Sequence, residues 1–197
     1  SALGANAKRE YRKANYLIEE NTYEEPFIGV ALTKHYKIDK NIIIGTSKSL
    51  WEEYYKVYAE YLNKEYDEDF YLHLAEKIEE NSISEEDLTI LNKNLNKTHY
   101  GVLIEDGMNN NELMKNFEIL MKITEKLDSG DELYIDITHS FRSISLYMFI
   151  IMNYLQNVSD KDIKIKGITY GMLGGEIDGK TPVVDLNILY EAIEWIK

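Results

Sequence analysis

From residue 41 onward, short β-branched runs alternate with segments patterned for helices, and this alternation limits the chain to an α/β layout. The run Asn41-Ile42-Ile43-Ile44-Gly45 is continuously apolar and ends in glycine, as a buried strand does. Residues 49–63 then carry apolar and aromatic side chains at helical spacing, and residues 69–81 and 84–96 form two further helical segments. Ser84-Glu85-Glu86-Asp87 supplies a capping serine and an acidic first turn to the last of these. Strands are expected at 100–105, 133–138, 163–170 and 181–186, and helices at 111–127, 143–157 and 187–197. Ser129-Gly130 is read as the stop of the helix before it, with turns at Asp106-Gly107, Gly174-Gly175 and Asp178-Gly179. The expected fold is a Rossmann-like, mostly parallel sheet with helices on both faces. A C-terminal antiparallel hairpin adds edge strands.

Composition narrows the function classes. The 197 residues fit one domain, and 44% hydrophobic content is enough for a real core. No cysteine occurs, which excludes disulfides, thiolate zinc sites and a cysteine nucleophile, and suits a reducing interior. The N-terminal stretch has basic residues but no long apolar run after them, and the apolar segment 146–155 is too short to span a bilayer. A soluble, cytoplasmic protein with no membrane partner is expected. The net charge of −13 argues against a duplex nucleic acid partner. His35, His73, His99 and His139 are scattered without ligand spacing, so neither a metal nor a cofactor is expected. The acidic middle of the chain, residues 67–87, reads as a solvated helical face.

In parallel sheets ligands bind beyond the carboxyl ends of the strands, so the loops there carry the functional reading. Gly45-Thr46-Ser47-Lys48-Ser49 offers three hydroxyls and a lysine at a helix start. It can hold phosphate or ribose, or simply cap the helix through Ser47 or Ser49. Asp136-Ile137-Thr138-His139-Ser140-Phe141-Arg142-Ser143 is the densest polar site. Asp136 stands in an apolar strand, where a charge needs hydrogen bonds from neighbouring loop groups. Arg142 is one of three arginines and the only one after residue 12. It can grip a phosphate through two bonds or pair with Asp136. Ser1-Ala2-Leu3-Gly4-Ala5-Asn6 looks like a strand end and its glycine turn, and Lys8, Arg9, Arg12 and Lys13 follow. Tyr170-Gly171-Met172 lies at another strand end.

Together, these residues resemble a known family. Ser1-x-Leu3-Gly4, Gly45-Thr46-x-x-Ser49-x-Trp51, Asp136-x-Thr138-His139-x-Phe141-Arg142-Ser143 and Tyr170-Gly171-Met172 with Thr181-Pro182 look like the CARF domain, the CRISPR-associated Rossmann fold. Ser140 stands where the family commonly has glycine, and most of the first strand is absent from the sequence. The resemblance implies a single sensory domain over residues 1–197, with no effector domain. It also implies a homodimer that binds a cyclic oligoadenylate across its two-fold axis in type III antiviral defence. The tetra-adenylate is favoured over the hexa-adenylate. Carried over, Gly4 and Asn6 face the ligand from the first turn. Thr46, Ser47, Lys48 and Ser49 serve phosphate or ribose. Thr138, His139, Ser140 and Arg142 form the pocket floor, Asp136 is counted with them among the ligand-binding residues, and Met172 contacts a base.

Two functions follow from that resemblance. One is a sensor that biases an attached effector. The other is a ring nuclease, in which the ribose 2′-OH attacks its own phosphodiester without a metal. Thr138, Arg142 and Ser47 are its candidate catalytic residues, and His139 a candidate acid or base. An ordinary dinucleotide-binding domain is disfavoured, since no Gly-x-Gly-x-x-Gly follows any strand.

Overall fold

A computed structural model describes residues 3, 13–96, 98–139 and 142–194, with the backbone alone for Arg142, Ile193 and Glu194. Strand β3 (Asn41–Gly45) pairs in parallel with β4 (His99–Leu103), and β5 (Glu132–Asp136) pairs in parallel with β6 (Lys164–Gly171). The triple-isoleucine run forms β3 because β-branched side chains suit a strand covered on both faces. Strand β7 (Thr181–Asp185) returns antiparallel to β6 through a tight turn. Asp178 and Gly179 both take positive φ there, inside the Ile177–Lys180 bridge.

The hairpin is not an edge, contrary to the expectation above. Strand β1 (Ala14–Ile18) runs parallel to β7 and pairs antiparallel with β2 (Asn21–Glu25), giving the order β2-β1-β7-β6-β5. The polar β2 therefore forms the outer strand and β7 is interior. Three of the five pairings are parallel, and helices flank the sheet.

Helix α1 (Ile28–Tyr36) packs on β1 and β2. Helices α2 (Trp51–Tyr61), α3 (Glu68–Glu79) and α4 (Glu85–Leu95) bury the largest core around Trp51, Tyr54 and Tyr58. Asp67 caps α3, accepting the Phe70 N–H at 3.1 Å. Ser84 caps α4 reciprocally with Asp87, as its sequence anticipates. That pairing buries Asp87, while Glu68, Asp69, Glu79, Glu85 and Glu86 stay exposed as the charge pattern implies.

Helices α5 (Asn110–Thr124) and α6 (Arg142–Asn157) enclose a second core with Ile44, Ile104 and Ile163. The expected end of this helix at Leu127, with Ser129-Gly130 as its stop, is corrected to Thr124. Lys161 Nζ collects the freed carbonyls of Thr124, Glu125 and Leu127 at 3.0, 3.1 and 2.6 Å, so the helix stops a turn early. Helix α7 (Asn187–Glu194) closes the description, with Tyr190 packed beside Ile135 and Ile168. The remainder of the expected last helix, 195–197, lies outside the described residues. Among the described residues no helix is long and apolar enough to cross a membrane.

His99 gives the fold a pH dependence. It is buried beside Tyr58 and Tyr61, and its Nε2 has no hydrogen-bond partner among the described residues. Burial lowers its pKa, and burial likewise lowers that of His139 against a smaller opposing pull from Asp136. The unfolded chain therefore binds more protons once the pH falls below about 6.5. This contribution to stability is complete above that pH and is lost as the pH falls through the folded-state values. The thermal midpoint is expected to be lower at pH 5.5 than at 7.5. His99→Phe should flatten part of that slope, and an unchanged slope would place the acid sensitivity elsewhere.

Candidate functional site

The ends of β3 and β4 pack against the start of α6, which follows β5, and the loop after β5 is bonded to the end of β6. Ile144, in the first turn of α6, packs with Ile44 and Ile104 at the ends of β3 and β4, which ties the two halves together. Gly107, beyond β4, approaches Ser143 of the same turn.

The loop after β3 is held from inside. Ser49 Oγ accepts the Thr46 N–H at 3.0 Å and donates to the Leu3 carbonyl at 2.9 Å. Leu3 N–H in turn donates to Ile44 O at 2.7 Å. Trp51 Nε1 donates to the Thr46 carbonyl at 2.8 Å. Thr46 Oγ1 accepts the Lys48 N–H at 3.3 Å. Thr46 and Ser49 are thus buried, with hydroxyls bonded within the loop, while Ser47 is half-buried and Lys48 exposed. Neither serine is the cap of α2, whose first flanking residue is Leu50 without a side-chain cap. Ser49 is occupied one turn earlier, bridging Thr46 to Leu3. Close approach requires glycine at the strand end: a Cβ on Gly45 would lie 2.7 Å from Trp51 Cζ2 and 2.8 Å from Ser49 Oγ.

Lys48 forms an ion pair with Asp106 in the loop after β4. Beside it, Asn116 from α5 accepts the Glu105 N–H at 2.8 Å and donates to the Glu105 carbonyl at 2.9 Å. This β4 loop was read from sequence only as a turn. The register that sets Gly45 against Leu103 is what brings Asp106 to the lysine.

The loop after β5 centres on Asp136. Its Oδ1 accepts the Thr138 N–H at 3.2 Å and the Thr138 hydroxyl at 2.5 Å, as expected for a charge in an apolar strand. Thr138 Oγ1 also accepts the Gly171 N–H at 2.8 Å, joining the loop to the end of β6. A Cβ on Gly171 would meet Ile28 Cδ1 at 2.8 Å and Thr138 Cγ2 at 3.2 Å, so the tip of α1 closes over the same junction. Tyr16, buried in β1, has its phenol pushed up to about 12 by burial and by the Asp136 charge. Tyr16 was missed as a neighbour of Asp136 because β1 carries no obvious strand pattern. His139 is half-buried, and its lowered pKa favours the neutral imidazole. Met172 is exposed just beyond β6, where its N–H donates to Pro182 O at 2.9 Å.

The structure thus brings Asp136, Thr138 and Gly171 into one hydrogen-bonded junction, and Thr46, Ser49 and Leu3 into another. Gly4, Asn6 and Ser140 lie outside the described residues, as does the Arg142 side chain, whose backbone opens α6. The basic residues Lys8, Arg9 and Arg12 also lie outside them, and Lys13 is exposed. Among the described residues no group of three or more His, Asp or Glu could hold a metal ion.

The sequence also matches known proteins. The sequence profile of the CRISPR system endoribonuclease Csx1 CARF domain matches residues 2–173. The CRISPR-associated protein MJ1674 of Methanocaldococcus jannaschii is 36% identical over 209 residues, covering 96% of this chain and 32% of that protein. The chain therefore spans about a third of the length of that relative. With the match running from the Leu3 turn through the Asp136–Arg142 loop to Met172, the chain belongs to the Csx1-type CARF domain family of CRISPR-associated proteins.

Proposed function

We propose that the chain is the sensory domain of a CRISPR-associated antiviral protein, binding a cyclic oligoadenylate across a homodimer and controlling an effector activity. The observation that carries this reading is the junction Asp136–Thr138–Gly171 at the ends of β5 and β6, with the Lys48–Asp106 pair across the loops after β3 and β4, within a CARF domain. CARF domains generally bind cyclic oligoadenylates. A ring with one negative charge per linkage needs donors from loops rather than a broad basic face. In this reading Ser47, Lys48, Thr138, His139, Arg142 and Met172 meet the ring with Gly4, Asn6 and Ser140. Thr46, Ser49 and Asp136 hold those loops in shape. The tetra-adenylate remains the favoured ring, and each copy of the chain supplies half the contacts.

A second reading, slow ring cleavage, is favoured by His139. A neutral imidazole beside the Thr138 junction can accept the ribose 2′-OH proton. The 2′-oxygen then bonds to the adjacent phosphorus, and the P–O5′ bond breaks. The 5′-oxygen takes up a proton, leaving a 2′,3′-cyclic phosphate. Arg142 and Ser47 would steady the phosphorane, with Thr138 orienting the ribose.

Incubation with cyclic tetra- and hexa-adenylate, followed by chromatography of the nucleotide, separates the readings. Intact, protein-bound ring is the expected result for a sensor, and linear products ending in 2′,3′-cyclic phosphate mark a nuclease. Absence of binding by either ring would remove both. Any cleavage is expected to persist in excess EDTA and to stop with a 2′-O-methyl ring that still binds. Loss in EDTA with recovery in Mg²⁺ would contradict the 2′-OH mechanism.

A further inference from the structure

At the amino ends of β3 and β4 the chain gathers lysines that the proposed ring site does not use. Lys40 precedes β3, Lys93 lies in the last turn of α4, and Lys126 follows α5. With Asn92, Asn96 and Tyr100 they line an open pocket of about 560 Å³. Strands β3 and β4 are five residues long, which sets this pocket roughly 16 Å from the loops at their carboxyl ends. No carboxylate lines it among the described residues, in a chain whose net charge is −13.

Lysines near helix C-termini ordinarily serve the free carbonyls there, and two neighbours already do so. Lys64 Nζ donates to the Asn94 and Leu95 carbonyls at the end of α4. Lys161 Nζ takes those of Thr124, Glu125 and Leu127 beyond α5. Lys93 and Lys126 are spared that task. Both are exposed, and neither ammonium has a carbonyl or carboxylate partner among the described residues. Lys126 Nζ lies instead over the Tyr100 ring, 4.5 Å from its centroid. Lys40 is held in place, its Nζ donating to the Lys126 carbonyl at 3.1 Å and standing 3.6 Å from Asp128. The other lining groups add structure and donors. Asn92 ties α4 to β4 through two bonds with the Gly101 backbone, at 2.6 and 3.0 Å. Asn96 Oδ1 accepts from Thr98 and His99, which leaves its amide hydrogens to donate. The Tyr100 hydroxyl is closed off from solvent without a hydrogen-bond partner among the described residues, and burial raises its pKa, which keeps it a donor. A buried donor without an acceptor is costly.

We propose that this pocket is a second anion site, separate from the ring site, which binds the phosphate monoester of a nucleotide-sized molecule through Lys40, Lys93 and Lys126, with the Tyr100 hydroxyl as a further donor. A monoester carries close to two negative charges at pH 7, which suits several ammonium groups better than a single carboxylate does. The pocket is larger than a phosphate needs and leaves room for the body of the molecule. As Lys126 turns from the ring to the phosphate, an anionic oxygen reaches the tyrosine hydroxyl and supplies the acceptor it lacks.

Amide NMR shifts at residues 92–96, 100 and 126 report the site, with the chain titrated at low salt with adenosine 5′-monophosphate, inorganic phosphate and succinate. The monophosphate is expected to give saturable shifts there with a Kd at or below about 1 mM. Inorganic phosphate should bind more weakly, and succinate more weakly still. The double variant Lys93→Ala/Lys126→Ala should lose about tenfold or more in affinity, Lys93→Arg/Lys126→Arg should keep most of it, and Tyr100→Phe should lose about threefold. The remaining amide spectrum checks that each variant is folded. No saturation by about 10 mM monophosphate would overturn the proposal, as would equal binding of succinate or undiminished binding by the double alanine variant. Shifts confined to the loops after β3 and β5 would place the nucleotide at the ring site and overturn it too. Inorganic phosphate binding as tightly as the monophosphate would contradict the nucleotide-sized body, and full affinity in Tyr100→Phe would contradict the part given to the hydroxyl.

Discussion

Trp51→Ala is expected to cost about 3–5 kcal/mol of folding stability, a large share of the roughly 5–15 kcal/mol that a domain possesses. The indole is fully buried at the centre of the largest core, among Tyr54, Leu88 and the helices α2 to α4. It also lies close against two strand glycines: a Cβ on Gly101 would stand 2.6 Å from Trp51 Cζ3, and one on Gly45 2.7 Å from Cζ2. No smaller side chain fills that space. Its Nε1 holds the Thr46 carbonyl, so the loss extends to the loop after β3. Denaturant titration should show the drop, and Trp51→Phe should recover much of the packing but not the hydrogen bond. A loss under 1 kcal/mol for the alanine variant would mean that the ring is not the keystone of this core.

Arg142→Ala is expected to weaken cyclic oligoadenylate binding by about 1.5–3 kcal/mol, roughly 10- to 150-fold, while Lys8→Ala has a much smaller effect. Arg142 opens α6 directly after the Asp136–Thr138–His139 loop, whereas Lys8 belongs to a basic segment well away from it in sequence. Calorimetric titration of both variants checks this, with circular dichroism to detect a folding role for an Asp136–Arg142 pair. Equal losses would remove Arg142 from the phosphate contacts.

Much of this was legible in the sequence, for physical reasons that also explain the gaps. Strand β3 announced itself through three consecutive isoleucines, and α4 through the Ser84–Asp87 cap. Asp136 stood out as a charge in an apolar run, and its bonds to Thr138 are local. Strands β1 and β2 were not legible. Their turn uses Glu19 with a φ of 53° instead of glycine, and β2 is polar because it lies on the outside of the sheet. Without them β7 looked like an edge. The Ser49–Leu3 relay and the Lys48–Asp106 pair join residues 46 and 58 positions apart: the first depends on Leu3 docking on Ile44, the second on the register of β3 and β4.

In the proposed sensor one ring is held between two copies of the chain. Isothermal titration with cyclic tetra-adenylate, run beside sedimentation at micromolar protein, tests it most directly. A species of about twice the chain mass is expected, with one ring bound per two chains. A monomer that binds one ring per chain, or a chain that binds neither ring, would contradict it.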